Sequence, residues 1–354
     1  MTENTANVFA DENKKTVKKR AYFAMCRVTV FLFVLALLSY AFSYLLNFLL
    51  YTYSAQLQKA LVDFVLLFGV GKTVAVSAVK RLLMSGAFSC FAQLLSGVVT
   101  LVLPAVIYAK CENIDGNDSF PVKGRLVKGF WRNYGVMQLL VMTAGAFSTT
   151  IYDFFFPEST VDPGGFTDLS GSDFDVYTLI MRIIVVCVFV PVAEEYVFRG
   201  VLFGVLRKYG TMFGVVASAA AFGIAHSNPS QSVYAFVFGL YSAFLVALTG
   251  NIKTSVLFHA INNLVSVTGE HLMAFANENA ISLFNSFHSM LAVMFGFAGF
   301  YLLAKKDGLV QQFSKKCSDE RKEKGDASGM KQIAVVPLVV YALIYAVDII
   351  GTAV

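Results

Sequence analysis

Apolar residues in this chain gather into blocks rather than spreading evenly along it. The clearest blocks run over 22–51, 82–109, 134–151, 176–190, 212–225, 233–248, 255–267, 281–304 and 333–350. Several reach the roughly 18 to 20 residues that carry a helix across a hydrocarbon core, and turns at the ends extend the shorter ones. The pattern predicts an all-α fold, a polytopic transmembrane helix bundle of about nine spans. Two stretches depart from it. Residues 55–81 are moderately apolar but interrupted by Asp63, Lys72 and Lys80, which predicts an amphipathic helix lying in the membrane interface. Residues 305–331 are polar and low in complexity, as a solvated loop before the last span would be.

Composition strengthens the membrane reading. The 354 residues are 57% hydrophobic and only 14% charged, with 34 phenylalanines against a single tryptophan. A soluble domain of this size could not hide so much apolar surface, so the excess must face lipid. The first block follows a basic tail but is far longer than a signal-peptide core, and is expected to stay as an anchor. Lysine and arginine collect at 14–20, 110–132, 207–208, 253 and 305–331, whereas the loop at 153–175 is acidic and holds no basic residue. Because cytoplasmic loops carry the positive excess, the N-terminus is expected to be cytoplasmic, in a multi-pass protein of a bacterial plasma membrane. The net charge of +5 is explained by these loops and points to anionic lipid, not nucleic acid. Five scattered cysteines form neither a disulfide framework nor a zinc knuckle.

Ionisable groups at membrane depth cost roughly 2.5 to 3.5 kcal/mol each on insertion scales, so each needs a reason to be there. The stretch PVAEEYVFRG holds three. Glu195 and Arg199 are four apart, with the acid on the N-terminal side, the favoured order for an ion pair on one helix face. Glu194 lies about 100° round the helix and is left to face elsewhere. Such a cluster can also be a buried pair that only fixes helix register. Pro191 cannot donate its backbone hydrogen bond and should free a carbonyl nearby. Gly200 and Gly204 have the spacing that lets another helix approach. If the chain turns at 208–211, Glu194 and His226 each lie sixteen residues from Gly210, so an antiparallel hairpin brings them to one depth, about 24 Å from the turn. In FHAINN, His259 and Asn263 share a helix face, but counting leaves open whether they reach the depth of the other two. His271 and His288 read as structural, Arg182 as snorkelling towards the acidic loop, and the phenylalanines as lipid-facing bulk.

EEYVFR, FGIAH and HAINN follow one another as EExxxR, FxxxH and HxxxN within roughly seventy residues, each on an apolar helix. In this the chain resembles the CPBP family of intramembrane proteases, also called the CAAX protease and bacteriocin-processing or Abi family, which includes type II CAAX prenyl endopeptidases. The resemblance divides the chain into 1–174, an N-terminal tail with three spans and an interfacial segment; 175–269, the catalytic membrane core; and 270–354, C-terminal spans with a charged cytoplasmic loop. It implies a chamber opening towards the cytoplasm, where Glu194 activates water and His226 helps to position it. His259 and Asn263 would stabilise the oxyanion, and Glu195 and Arg199 would support the site. No cofactor is fixed by the resemblance, and zinc held by His226, His259 and Glu194 stays open, although no HExxH pair preorganises two ligands on one helix. A covalent route through Ser227 also stays open.

The implied activity is an intramembrane endopeptidase that hydrolyses a peptide bond of a membrane-associated or lipidated protein or peptide by glutamate-activated water. The resemblance admits a prenylated substrate, but nothing in the chain identifies a prenyl pocket. The alternative is a non-catalytic membrane scaffold or bacteriocin-immunity protein of the same fold. A transporter is a weaker third reading, because the polar cluster occurs once and not in matched halves.

Overall fold

The computed structural model describes residues 3–114, 121–122, 125–155, 176–226, 229–275, 278–303 and 308–324. Ten helices make up the fold, with no strand among the described residues. They are α1 (Glu3–Leu66), α2 (Lys72–Leu83), α3 (Gly86–Cys111), α4 (Phe130–Phe155), α5 (Val176–Tyr209), α6 (Thr211–Ala225), α7 (Pro229–Thr249), α8 (Lys253–Phe275), α9 (Glu278–Leu302) and α10 (Leu309–Lys324). Six of them, α1, α3, α4, α5, α7 and α9, are long and apolar enough to cross a membrane; α6 is apolar but has only 15 residues. The expected span at 333–350 and most of the acidic loop lie outside the described residues.

Two expectations are corrected. Residues 55–81 are not one interfacial helix. α1 continues unbroken to Leu66, and α2 folds back on it, burying Val62 against Ala75 and Val79. The charged stretch after residue 305 is not a loop throughout, because 309–324 is helical and docked. Phe313 of α10 packs on Phe244 of α7 with ring centroids 5.0 Å apart, and Lys316 Nζ donates to the Ala247 carbonyl at 2.8 Å. Glu320 receives Thr211 N–H at 2.9 Å and Thr211 Oγ1 at 2.6 Å. It thereby caps in trans the first turn of α6, where unsatisfied amide protons favour a carboxylate.

Basic residues gather at one end of the bundle, hereafter the basic end. Arg27 near the start of α1 pairs with Glu112 at 2.5 Å, and Lys208 donates to the Glu112 carbonyl. Asn251, in the α7–α8 turn, donates to the Arg125 carbonyl at 3.0 Å. Gly210 makes the α5–α6 turn there with φ 140°, a conformation that side chains disfavour.

From that turn α6 and α7 run packed face to face. A Cβ on Gly223 would stand 2.7 Å from the Ser232 carbonyl oxygen, and one on Gly239 would stand 3.1 Å from the Ala219 Cα. These small residues carry the close approach. Gly204, the second glycine of the GxxxG pair, does not, since a Cβ there meets nothing nearer than Ile114 at 3.7 Å.

Two helices contain π-helical turns, and a proline follows each. Val98–Val102 precedes Pro104 in α3, and Ile183–Phe189 precedes Pro191 in α5. A second π-helical stretch of α5, Tyr196–Leu202, carries Arg199. π-turns of this kind occur mostly as local bulges and often at functional sites.

Candidate active site

Glu194 and Glu195 leave α5 in different directions. Glu195 is fully buried and faces Arg199 at 3.1 Å, one turn on. Two groups of α8 meet it as well: Ser255 Oγ donates to Oε2, and His259 Nδ1 stands 3.2 Å from Oε1. Arg199, 1% exposed, finds no aligned hydrogen bond among the described groups beyond that ion pair. Its guanidinium lies instead over Phe222, 4.0 Å from the ring centroid, with Phe238 at 5.6 Å. A desolvated cation over a ring gains about 2 kcal/mol, which helps hold the charge away from water.

Phe222 is the hub of this packing and is not lipid-facing. It is 2% exposed and touches the rings of Phe198, Phe238, His226 and His259. Phe198, Phe203 and Phe258 are likewise buried and depart from the expectation that phenylalanines face lipid, whereas others such as Phe33, Phe48, Phe295 and Phe297 are exposed.

Glu194 keeps a side-chain exposure of 24%. Its Oε2 is buried, accepts no hydrogen bond from the described groups, and lies 3.8 Å from His259 Nε2. His259 therefore bridges the two glutamates, which answers what counting left open: it does reach their depth. With a carboxylate on Nδ1, that nitrogen carries the proton. His226, at the end of α6, directs Nδ1 at the Phe222 carbonyl oxygen, 2.8 Å away. A carbonyl only accepts, so Nδ1 is protonated there too, and Nε2 is left to meet other groups.

Asn263 shows where the carbonyl freed by Pro191 goes. The amide of Val190 bonds to Val185, five residues back, so the next bond in that register would run from Pro191 to Val186. Proline has no proton to give. Asn263 Nδ2 takes its place and donates to the Val186 carbonyl at 2.8 Å, tying α8 to α5 beside the site.

Two cavities meet at Glu194 and His226, which line both. One, of about 340 Å³, lies against α1. The other, of about 180 Å³, is lined by His259, Asn263, Asn262, Gln231, Tyr234 and Gln93 among others. Gln138 of α4 donates to Asn262 Oδ1 at 3.1 Å and fixes that side of it. Ser255, Gln231, Tyr234 and Asn262 were not singled out in the sequence. Asn262 stands within HAINN, and its neighbour drew the attention.

The zinc reading finds no support. Among the described residues, no three His, Cys, Asp or Glu side chains are grouped so as to hold a metal ion. Arg182 does not snorkel. It is 2% exposed and paired with Glu270 of α8. His271 is a buried structural residue whose Nδ1 meets the Val267 carbonyl at 3.0 Å.

Residues 176–265 match the family model described as Rce1-like, type II CAAX prenyl endopeptidase. No curated protein and no solved structure matches the chain.

Proposed function

We propose that this chain, a member of the CAAX-protease family through its 176–265 core, is an intramembrane endopeptidase that hydrolyses its substrate with water activated by Glu194. The observation that carries the reading is the buried, unpaired Glu194 oxygen on the wall between two cavities, with His226 beside it and His259 at 3.8 Å. An acid with no protein donor in a largely apolar site can take a proton from water and return it to the leaving amine. His226 Nε2, free of the Phe222 carbonyl, accepts from the same water and orients its lone pair.

The oxyanion needs donors already in place, each worth about 2.7 to 4 kcal/mol. His259 supplies Nε2–H when doubly protonated, its Nδ1–H remaining on Glu195. The charges of Arg199 and His259 then balance those of the two glutamates. Asn263 keeps a second amide proton after bonding to Val186 and serves as the other donor. Glu195, Arg199 and Ser255 position His259. The catalytic core is 175–269, with the flanking segments as membrane supports. The substrate is a membrane-associated or lipidated protein or peptide, and the basic end faces the cytoplasm, as the clustering of arginines and lysines supports.

The test is cleavage of a membrane substrate, identified by comparing membrane proteomes, by purified protein in nanodiscs. Glu194→Ala and Glu194→Gln should each abolish turnover while the protein stays inserted and folded. Unchanged turnover in either variant would overturn the reading and favour a binding role.

A further inference from the structure

Only one wall of the larger cavity comes from the family-matched segment. The other is α1, more than 130 residues earlier in the chain, joined by Leu101 of α3. Leu32, Leu35 and Ala36 of α1 face Phe198 and Ala225 across it, with Glu194 and His226 at the inner end. Ser39, Tyr40 and Ser43 also line it and are exposed, so they mark its mouth. The residues around them on α1, Leu37, Leu38, Tyr44 and Leu45, are exposed and apolar, as a lipid-facing surface is. The mouth therefore opens sideways, between helices, and not through an end of the bundle.

A count along α1 gives its depth. The wall runs from Leu32, five residues beyond Arg27 at the basic end, to Ser43, sixteen beyond it. At about 1.5 Å per residue that is about 8 to 24 Å from that end, so the cavity spans the middle of a hydrocarbon core about 30 Å thick.

We infer that this cavity seats a large apolar side chain of a peptide substrate that arrives laterally, between helices, making α1 the specificity-determining wall. The inference rests on the proposed hydrolysis for its purpose but not for its geometry. The volume of about 340 Å³ exceeds the roughly 150 Å³ that a benzene-sized group fills. It falls within the range of about 300–1,000 Å³ typical of ligand sites. Ser39 Oγ donates to Thr100 Oγ1 at 3.1 Å, and Ser43 at the mouth offers a hydroxyl to the polar backbone of a bound peptide, which an apolar wall alone would leave unsatisfied. The smaller cavity, beyond Glu194 and His226, offers amides and a histidine and takes the flank on the other side of the scissile bond.

The experiment uses the full chain in nanodiscs and an alanine–serine dodecapeptide with one central photo-leucine. Irradiation should place adducts on residues 32–43, in the wild type and equally in Glu194→Gln, where no hydrolysis occurs. A competing peptide with a central phenylalanine should suppress them at least tenfold more effectively than one with a central alanine. Ala36→Phe, which fills the cavity, should cut labelling about tenfold, and the smaller Ala36→Leu should give a partial loss, each checked by melting temperature. Adducts elsewhere, or labelling indifferent to both substitutions, overturn the inference, and labelling of 32–43 by a photoreactive phospholipid alone would make an acyl chain the occupant. Labelling as expected with no substrate cut by the wild type would leave this assignment standing and remove the proposed hydrolysis. Glu194-dependent cleavage with no labelling of α1 would do the reverse.

Discussion

Pro191 shapes the site by lacking a proton. Its absent N–H leaves the Val186 carbonyl to Asn263, and so a backbone vacancy on α5 becomes an anchor for α8. Pro191→Ala would supply an N–H that competes with Asn263. Cleavage should fall at least tenfold without loss of melting temperature, since the carbonyl stays satisfied either way. Asn263→Ala should match that activity loss but also cost about 1–3 kcal/mol of stability, because the carbonyl is then orphaned. Arg199→Met removes one partner of a fully buried pair and should cost about 3–5 kcal/mol, read by denaturant or thermal unfolding. At this scale the sequence was legible where partners are close in the chain. Spacing of four fixed the Glu195–Arg199 pair, and proline chemistry forecast a freed carbonyl. Ser255 was illegible because its link to Glu195 spans 60 residues, and nothing in a single serine signals a partner so remote. Phe222 was misread because composition shows how many rings there are but not which way each one faces.

Helix by helix, the α5–α6 hairpin was the most legible element. Glycine at the turn and equal counts to Glu194 and His226 determine which residues share a depth, and both do line the same cavities. What lies beside that hairpin was less so. Gly223 rather than Gly204 sets the close contact, because a small residue permits approach only where another helix happens to run. Gly223→Val would force α6 off α7 against a carbonyl that cannot yield. It should lower both melting temperature and cleavage, with loss of activity exceeding tenfold in a variant that still inserts. α2 and α10 were misread for a related reason: local composition does not say which remote element will cover a segment. For α2, Ala75 and Val79 are covered by the end of α1. For α10 the cover is the basic end of α6 and α7, reached through Phe313, Lys316 and Glu320.

Taken whole, the bundle holds Arg27, Arg125, Lys208 and Lys316 at one end, and Lys72, Lys80 and Arg81 on α2 beside the far end of α1. Blocks of apolar residues made the helical membrane architecture plain from the chain alone. The count of spans was harder, because α6 is short and α8 is broken up by polar residues that face the site. The 15 residues of α6 have a consequence for where the helix ends. They rise about 22 Å, short of a hydrocarbon core about 30 Å thick, and beyond Val216 none of them is exposed, so the helix stops inside the bundle and not against lipid. The last carbonyls of a helix have no partner within it, and an end placed in hydrocarbon would be costly. Here that end carries His226 onto the wall of two cavities, so the polar terminus of one abbreviated helix meets the reactants and no acyl chain.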